Sequence, residues 1–244
     1  MAGVIQQLKL KSGRLMPMLG IGTYILKGDH LKKIIDHAEF HGYRHIDTAY
    51  LYGNNEGIGD ILKLLMKSVL LLIYHPWSLK NRGDRNLKPV GLDGRLEFAQ
   101  QNMNETCKSK EDLVKCNKVL SLGLSNFTNK LIDKILKKAE ITPSNLQLEC
   151  HEIFIRYNLK SYSLPSWSPA RPEHHISPDN QISLLKEATV KGITSKYVVK
   201  LAQVLLRFLI QRDFVVIPKT DKTNCLKQNV DCFNFYLKEK DMQT

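Results

Sequence analysis

The chain has 244 residues, of which 43% are hydrophobic and 25% are charged, and its formal net charge is +12 at pH 7. These proportions are typical of a soluble globular protein, and the length favours one domain with a sizeable core. A secretory signal is not expected from the N-terminal residues, and the longest apolar stretch, residues 61–73, is interrupted by lysines and too short to span a membrane.

Short apolar strands alternate with amphipathic helices in the first part of the chain, which predicts a parallel α/β sheet or barrel. Residues 8–10 and 15–16 are predicted to form a small hairpin. A helix over 29–41 is predicted to begin at an Asp cap and to end at Gly42. The strand over 44–47 carries Asp47 at its carboxyl end, where active sites form in parallel α/β barrels.

The remaining elements continue this alternation. Further helices are predicted at about 56–66, 110–120, 128–139, 197–211 and 222–229, and further strands at 69–73, 122–125, 146–149 and 214–217. The segment from 78 to about 109 is polar. Residues 156–180 are rich in proline and are predicted to be loop.

Asp47 and Tyr52 are the most informative pair of side chains in the chain. Because they lie five residues apart over a strand-to-loop transition, a phenol and a carboxylate can point into one pocket and form a proton-transfer pair. The alternative is that Asp47 caps the next helix and that Tyr52 fills its first turn.

The cysteines and the basic residues give no specific binding signal. The five cysteines show no paired spacing, so we expect reduced thiols in the cytosol. Cys150-His151 and His174-His175 are not expected to bind a metal, because adjacent strand residues face opposite ways and no further ligands stand at suitable spacing. Lys and Arg are scattered, which indicates a solvated surface and not a nucleic-acid site.

Five segments resemble signatures of the aldo-keto reductase family and occur in the family's order. They are residues 16–24 (MPMLGIGTY), 47–54 (DTAYLYGN), 123–127 (GLSNF), 147–151 (QLECH) and 217–220 (IPKT). The resemblance extends from about Leu8 to Met242. It implies a (β/α)8 barrel of the TIM type and reduction of aldehydes or ketones by hydride transfer from NADPH.

Two blocks of the family's barrel have no counterpart in this sequence. A helix-strand-helix block is missing between Leu62 and Val69, and a helix-strand block between Ile155 and Tyr162. The C-terminal loop of the family is also shortened. About six core strands can be placed where the barrel needs eight, so the resemblance implies an incomplete barrel with an N-terminal β-hairpin, either pinched or left unclosed.

The resemblance assigns the catalytic roles. Tyr52 corresponds to the proton donor and Asp47 to its carboxylate partner, whereas the family's Lys has no counterpart. Lys63 and Lys67 lie on a predicted helix and are more simply solvent-facing. The family's catalytic His aligns with Tyr74 without a gap and with His75 after a one-residue shift, and we favour His75 because the strand end can bulge.

The resemblance also assigns cofactor contacts. Residues that match the family's NADPH contacts are Thr23, Ser125, Asn126, Gln147, Tyr162, Lys219, Thr220 and Asn229. Ser125, Asn126 and Gln147 match those that hold the nicotinamide carboxamide, and Tyr162 resembles the residue that stacks on the ring. Lys219 and Thr220 match those that hold the 2′-phosphate. The family's following Arg is replaced by Cys225, which removes a bidentate phosphate contact.

The expected protein is therefore a cytoplasmic, monomeric, NADPH-dependent aldo-keto reductase with a small carbonyl substrate and impaired activity. It is expected to bind neither nucleic acid, membrane nor metal. The alternative is a catalytically inactive relative, either nucleotide-binding or structural, or a defective truncated product.

Overall fold

The computed structural model describes residues 4–10, 12–65, 71–74, 78–79, 90–91, 93–95, 97–99, 102–149, 165–167 and 188–243. The strands are β1 (Gln7–Lys9), β2 (Leu15–Pro17), β3 (Ile21–Gly22), β4 (Ile46–Asp47), β5 (Leu71–Tyr74), β6 (Ser78–Leu79), β7 (Phe98–Ala99), β8 (Ser121–Ser125), β9 (Asn145–Glu149), β10 (Pro165–Trp167) and β11 (Val215–Ile217). The helices are α1 (Gly28–Phe40), α2 (Asn55–Leu65), α3 (Met103–Lys115), α4 (Asn129–Leu136), α5 (Ala188–Tyr197), α6 (Leu201–Ile210), α7 (Thr223–Val230) and α8 (Glu239–Met242).

Parallel strands form the centre of the protein. Five of them pair in the order β11, β10, β9, β8 and β5, and β3 pairs with β4. Parallel bridges from Leu19 to Val216 and from Gly22 to Lys219 join the β3 side to the β11 side. The row therefore runs β4, β3, β11, β10, β9, β8, β5. Helices α1 to α4 connect β3, β4, β5, β8 and β9 along the chain, and α5 and α6 lie between β10 and β11, which is the predicted α/β architecture.

Strand β10 corrects one of the sequence predictions. It lies within 156–180, which was predicted to be loop, and it pairs in parallel with β9 and β11. Its sequence, Pro-Ser-Trp, has no apolar run that predicts a strand, but Pro165 stands at the first strand residue, where its missing N–H is tolerated. β10 adds a strand to the six predicted. Within the described residues no strand pairing joins β4 to β5, so the incomplete barrel, pinched or unclosed, stays a prediction.

Helix α1 matches its predicted face but not its predicted cap. Its buried residues are those with helical spacing, Leu31, Ile34, Ile35 and Ala38. The N-cap is Lys27, and Asp29 lies in the first turn, where a carboxylate interacts favourably with the helix dipole. Gly42 follows the helix with φ 85°, a conformation that glycine adopts without strain.

Two other helices differ from their predicted bounds. Helix α3 begins at Met103 and not at about 110, because the Asn102 side chain accepts a hydrogen bond from the Asn104 N–H and caps the first turn. The helix predicted over 197–211 is α6, which begins at Leu201 and not at 197, and α5, which precedes it, was not predicted. The break between α5 and α6 occurs at Val198, whose φ of 55° cannot continue a right-handed helix.

The core lies between the strands and their covering helices. Its largest fully buried side chains include Leu19, Ile21, Phe127, Phe214 and Leu206. The hairpin β1–β2 packs on it through Leu8. Among the helices that the structure describes, none has the length and apolar character that a bilayer crossing requires.

A glycine on the way into β3 provides a test of this packing. A Cβ at Gly20 would lie 2.7 Å from His45 Cγ and 2.8 Å from Ile217 Cγ2. We expect Gly20→Ala to lower the free energy of unfolding by about 1–3 kcal/mol, because both neighbours would have to move within a packed interior. Urea unfolding measures the change.

Gly59→Ala is the matched control. Gly59 lies in α2 with nothing within 4 Å of a Cβ, so alanine should leave stability unchanged or raise it by about 0.5–1 kcal/mol. Equal unfolding midpoints for Gly20→Ala and the unmutated protein would contradict the packing described.

Candidate active site

The candidate site lies at the carboxyl ends of β3, β4 and β11. Gly22 pairs with Asp47 on one side and forms a bridge to Lys219 on the other. A Cβ at Gly22 would lie 3.3 Å from the Ile217 carbonyl oxygen and 3.4 Å from Lys219 Cβ. Glycine therefore allows β3 and the segment that follows β11 to approach closely. Asp47 and Lys219 therefore flank the same glycine.

Asp47 is held through both its backbone and its side chain. Its carbonyl oxygen accepts hydrogen bonds from the Thr23 N–H (3.1 Å) and the Thr23 hydroxyl (2.9 Å). Its carboxylate Oδ1 accepts a hydrogen bond from Gln147 Nε2 at 3.0 Å. The Asp47 side chain thus points across the strands to β9. The alternative in which it caps the next helix does not describe this structure.

Two titratable side chains on the same stretch of chain have shifted pKa values. Burial raises the pKa of Asp47 to about 6, and the hydrogen bond from Gln147 acts in the opposite direction. Burial lowers the pKa of His45 to about 4, partly offset by a hydrogen bond to the Pro17 backbone. His45 Nδ1 is buried and has no hydrogen-bond partner within the described part of the chain.

Tyr52 lies five residues beyond Asp47, the last residue of β4. It ends a 3₁₀ turn over Tyr50–Tyr52, and its backbone N–H donates to the Ala49 carbonyl at 2.9 Å. Its half-buried ring meets Tyr24 edge-on, with centroids 4.9 Å apart and an interplanar angle of 70°. The contact joins the loop after β4 to the loop after β3.

Asn54 fixes these two loops together, and the sequence analysis gave it no role. Its Nδ2 donates to the Thr23 and Leu26 carbonyls, both at 3.0 Å, and its Oδ1 accepts from the Thr48 hydroxyl at 2.9 Å. The side chain is buried with all these bonds made. The only sequence signal was its position directly after Tyr52-Gly53.

Three residues predicted to hold the nicotinamide carboxamide lie together, Ser125 and Asn126 at the end of β8 and Gln147 in the middle of β9. Ser125 pairs with Gln147, and the Asn126 N–H donates to the Gln147 carbonyl at 3.1 Å. Asn126 Nδ2 donates to the Ser125 hydroxyl at 3.3 Å. Asn126 has φ 60°, a conformation that asparagine tolerates better than most residues. The Asp47–Gln147 hydrogen bond links this group to β4.

The residues predicted to hold the adenosine end of the cofactor differ in exposure and in their hydrogen-bond partners. The Lys219 side chain is 26% exposed, and its Nζ lies 3.9 Å from Asp221 Oδ2. The Thr220 hydroxyl accepts a hydrogen bond from the Lys222 N–H at 3.1 Å, at the start of α7. Asn229 is 7% exposed, and its side chain hydrogen-bonds Tyr43, which itself donates to the Leu226 carbonyl. Asn229 thus packs toward α1.

Two predicted site residues, His75 and Tyr162, lie outside the described residues. Tyr74 ends β5, and its backbone pairs with Leu124. The choice between Tyr74 and His75 as the side chain in the pocket stays a prediction.

The chain was compared with known proteins. No family model matches it. Aldo-keto reductase family 1 member A1 of Mus musculus is 30% identical over 283 positions, covering 96% of this chain and 86% of the relative, and the Homo sapiens protein of that name gives the same values. The chain belongs to the aldo-keto reductase family. Because 283 aligned positions exceed its 244 residues, parts of these relatives have no counterpart in it.

A solved structure supports the same relationship. The aldose reductase from Schistosoma japonicum is similar with a TM-score of 0.84 and 28% sequence identity, covering 98% of this chain and 90% of that one. The similarity indicates a TIM-type barrel, in agreement with the row of parallel strands in this chain.

The donor groups of this chain would suit a dinucleotide. Amide and hydroxyl groups suited to a carboxamide stand at the end of β8 and in the middle of β9, and the Lys219 cation stands at the end of β11. The absence of a guanidinium at Cys225 leaves Lys219 as a point charge without bidentate geometry.

The opposite pKa shifts of Asp47 and His45 predict opposite pH dependences of stability. Asp47 has a folded-state pKa of about 6 against 3.8 when unfolded, so its contribution to stability falls as pH rises from about 4 to 6. His45 has a folded-state pKa of about 4 against 6.5, so its contribution falls as pH drops from 6.5 to 4. The two contributions largely cancel in the unmutated protein.

Two variants separate these contributions. Relative to the unmutated protein, the unfolding free energy of Asp47→Asn should rise with pH between 4 and 6.5, and that of His45→Phe should fall. The difference in slope approaches about 1.4 kcal/mol per pH unit. Urea unfolding at a series of pH values measures both, and identical slopes in all three proteins would refute the assigned shifts.

Proposed function

We propose that this chain is an NADPH-dependent oxidoreductase that reduces aldehydes or ketones to alcohols, with Tyr52 as the proton donor. The observation that carries the proposal is the Asp47–Gln147 hydrogen bond of 3.0 Å. It brings the carboxylate of the proton-transfer pair next to the polar group at the end of β8 and in the middle of β9. The similarity to aldo-keto reductases independently supports an oxidoreductase of this family.

The cofactor would be held at its two ends by different residues. Ser125, Asn126 and Gln147 offer hydrogen bonds to a carboxamide, and Lys219 offers a positive charge to a 2′-phosphate. A bound nicotinamide supplies the hydride that adds to the carbonyl carbon. The residues of the chain orient the ring, exclude water and supply the proton that goes to the carbonyl oxygen.

Tyr52 has a demanding role in this scheme. A phenol has an ordinary pKa near 10 and releases its proton reluctantly at neutral pH unless a nearby cation stabilises the phenolate. Burial and the Gln147 hydrogen bond are the two influences on the Asp47 pKa, and no cation contributes to it from the described residues. We therefore expect turnover to be impaired relative to an enzyme that retains the family's Lys.

The same observation favours the second candidate, a catalytically inactive relative that keeps nucleotide affinity or serves as a structural protein. In that case the amide, hydroxyl and lysine groups bind the dinucleotide, and Tyr52 transfers no proton. Binding without turnover distinguishes the two candidates. For either one we propose a monomer in the cytoplasm, with no nucleic-acid or membrane partner.

The role of Tyr52 is tested by removing its hydroxyl. Tyr52→Phe should bind NADPH as the unmutated protein does, measured by fluorescence titration, and should reduce a reactive aromatic aldehyde at least about 100-fold more slowly. Tyr236→Phe is the control, because Tyr236 is 66% exposed and packs against Arg207. Turnover that is the same in both variants would reject Tyr52 as the donor.

The role of Lys219 is tested by comparing two cofactors. Lys219→Met should weaken NADPH binding roughly tenfold and leave NADH binding almost unchanged, because only NADPH carries the 2′-phosphate. Lys227→Met is the control, since Lys227 Nζ pairs with Asp231 Oδ2 at 2.9 Å on α7. Equal losses of affinity for NADPH and NADH would show that Lys219 does not bind the 2′-phosphate.

A further inference from the structure

The Asp47–Gln147 hydrogen bond joins two strands whose backbones are independently fixed. The Asp47 carbonyl is held by Thr23, and the Gln147 carbonyl is held by the Asn126 N–H. Gln147 is 8% exposed and lies in register with Ser125. A side-chain hydrogen bond between two such positions is geometrically defined, because neither end can shift without disturbing a strand.

The carboxylate of Asp47 needs a donor at this place. An ionised carboxylate removed from water is costly unless it is paired or hydrogen-bonded. In the part of the chain that the structure describes, the ion pairs do not include Asp47, and its one side-chain partner is the neutral Gln147 amide. The cation expected from the family resemblance has no counterpart in these contacts.

We propose that Gln147 is a positioning residue for Asp47, and that its side-chain N–H takes the place that a cation occupies in the family by donating to the Asp47 carboxylate. The catalytic meaning of this role rests on the proposed function, but the hydrogen bond itself can be tested without turnover.

A neutral donor acts differently from a cation. The amide stabilises the ionised carboxylate through one hydrogen bond and adds no positive charge to the site, so it lowers the proton affinity of Asp47 less than an ammonium would. The carboxylate is therefore held in place and faces the site, while Tyr52 receives no electrostatic help through it. Gln147 therefore holds the Asp47 carboxylate in position but does not supply the positive charge that a lysine would bring to the site.

The first test uses the unmutated protein. The carboxyl carbons of aspartate and the side-chain amide of Gln147 are followed by NMR from pH 4 to 8, with Asp47→Asn used to assign the Asp47 signal. We expect the Gln147 amide signals to move with the same midpoint as the Asp47 carboxyl carbon. A Gln147 amide that does not respond to the Asp47 titration would overturn the proposal.

The second test changes the donor. Gln147→Met removes the N–H at similar size and should raise the Asp47 midpoint by roughly one unit. Gln147→Lys supplies a cation and should lower it below that of the unmutated protein. Gln203→Met is the matched control, since Gln203 is also buried and donates to the Gln228 carbonyl at 2.9 Å without contacting Asp47.

The outcomes separate this inference from the proposed function. An Asp47 midpoint that is unchanged in Gln147→Met, or changed equally in Gln203→Met, would refute the positioning role whatever the activity. If the Asp47 midpoint shifts as expected in the Gln147 variants but the unmutated protein reduces no aldehyde, the positioning role is supported and the proposed enzymatic function is rejected. Because the first test follows the unmutated protein and uses Asp47→Asn for signal assignment alone, poor folding of Gln147→Met leaves the proposal open to refutation.

Discussion

The hydrogen bond between Gln147 Nε2 and Asp47 Oδ1 is the interaction on which the site depends. It spans 100 residues of sequence and crosses from β9 to β4, so it exists only when the strands are assembled in their observed order. Without that strand order the Asp47 carboxylate would lose its side-chain hydrogen bond. The fold and the chemistry of the site are therefore linked through one contact.

Polar side chains inside the row of strands are accommodated by glycines. The His45 ring packs against Gly20, and the Asn145 amide occupies the space that a Cβ on Gly123 would need. His45 Nδ1 and both amide atoms of Asn145 are buried without partners among the described residues. Such groups are destabilising, because they lose water without gaining a hydrogen bond. These buried polar groups are therefore expected to contribute less to the free energy of unfolding than apolar side chains of the same volume would.

Local patterns predicted much of the fold but few of its long-range contacts. The buried face of α1 and the turn at Gly42 follow from helical spacing and from glycine conformation. Strand β10 could not be predicted, because Pro-Ser-Trp becomes a strand only through its neighbours. The inward packing of Asn229 against Tyr43 was equally invisible, since it depends on how α7 lies against α1.

The lack of a counterpart to the family's Lys leaves the Asp47 charge without a compensating cation among the described residues. At neutral pH Asp47 is mostly ionised and His45 is neutral, so the partly buried Asp47 side chain carries a negative charge that His45 does not offset. An amide donor makes that charge tolerable but does not neutralise it, so in the proposed reaction it would give the Tyr52 phenolate no stabilising positive charge. Holding the Asp47 carboxylate and activating the proposed donor Tyr52 are thus separate demands, and within the described residues the Gln147 hydrogen bond meets the first.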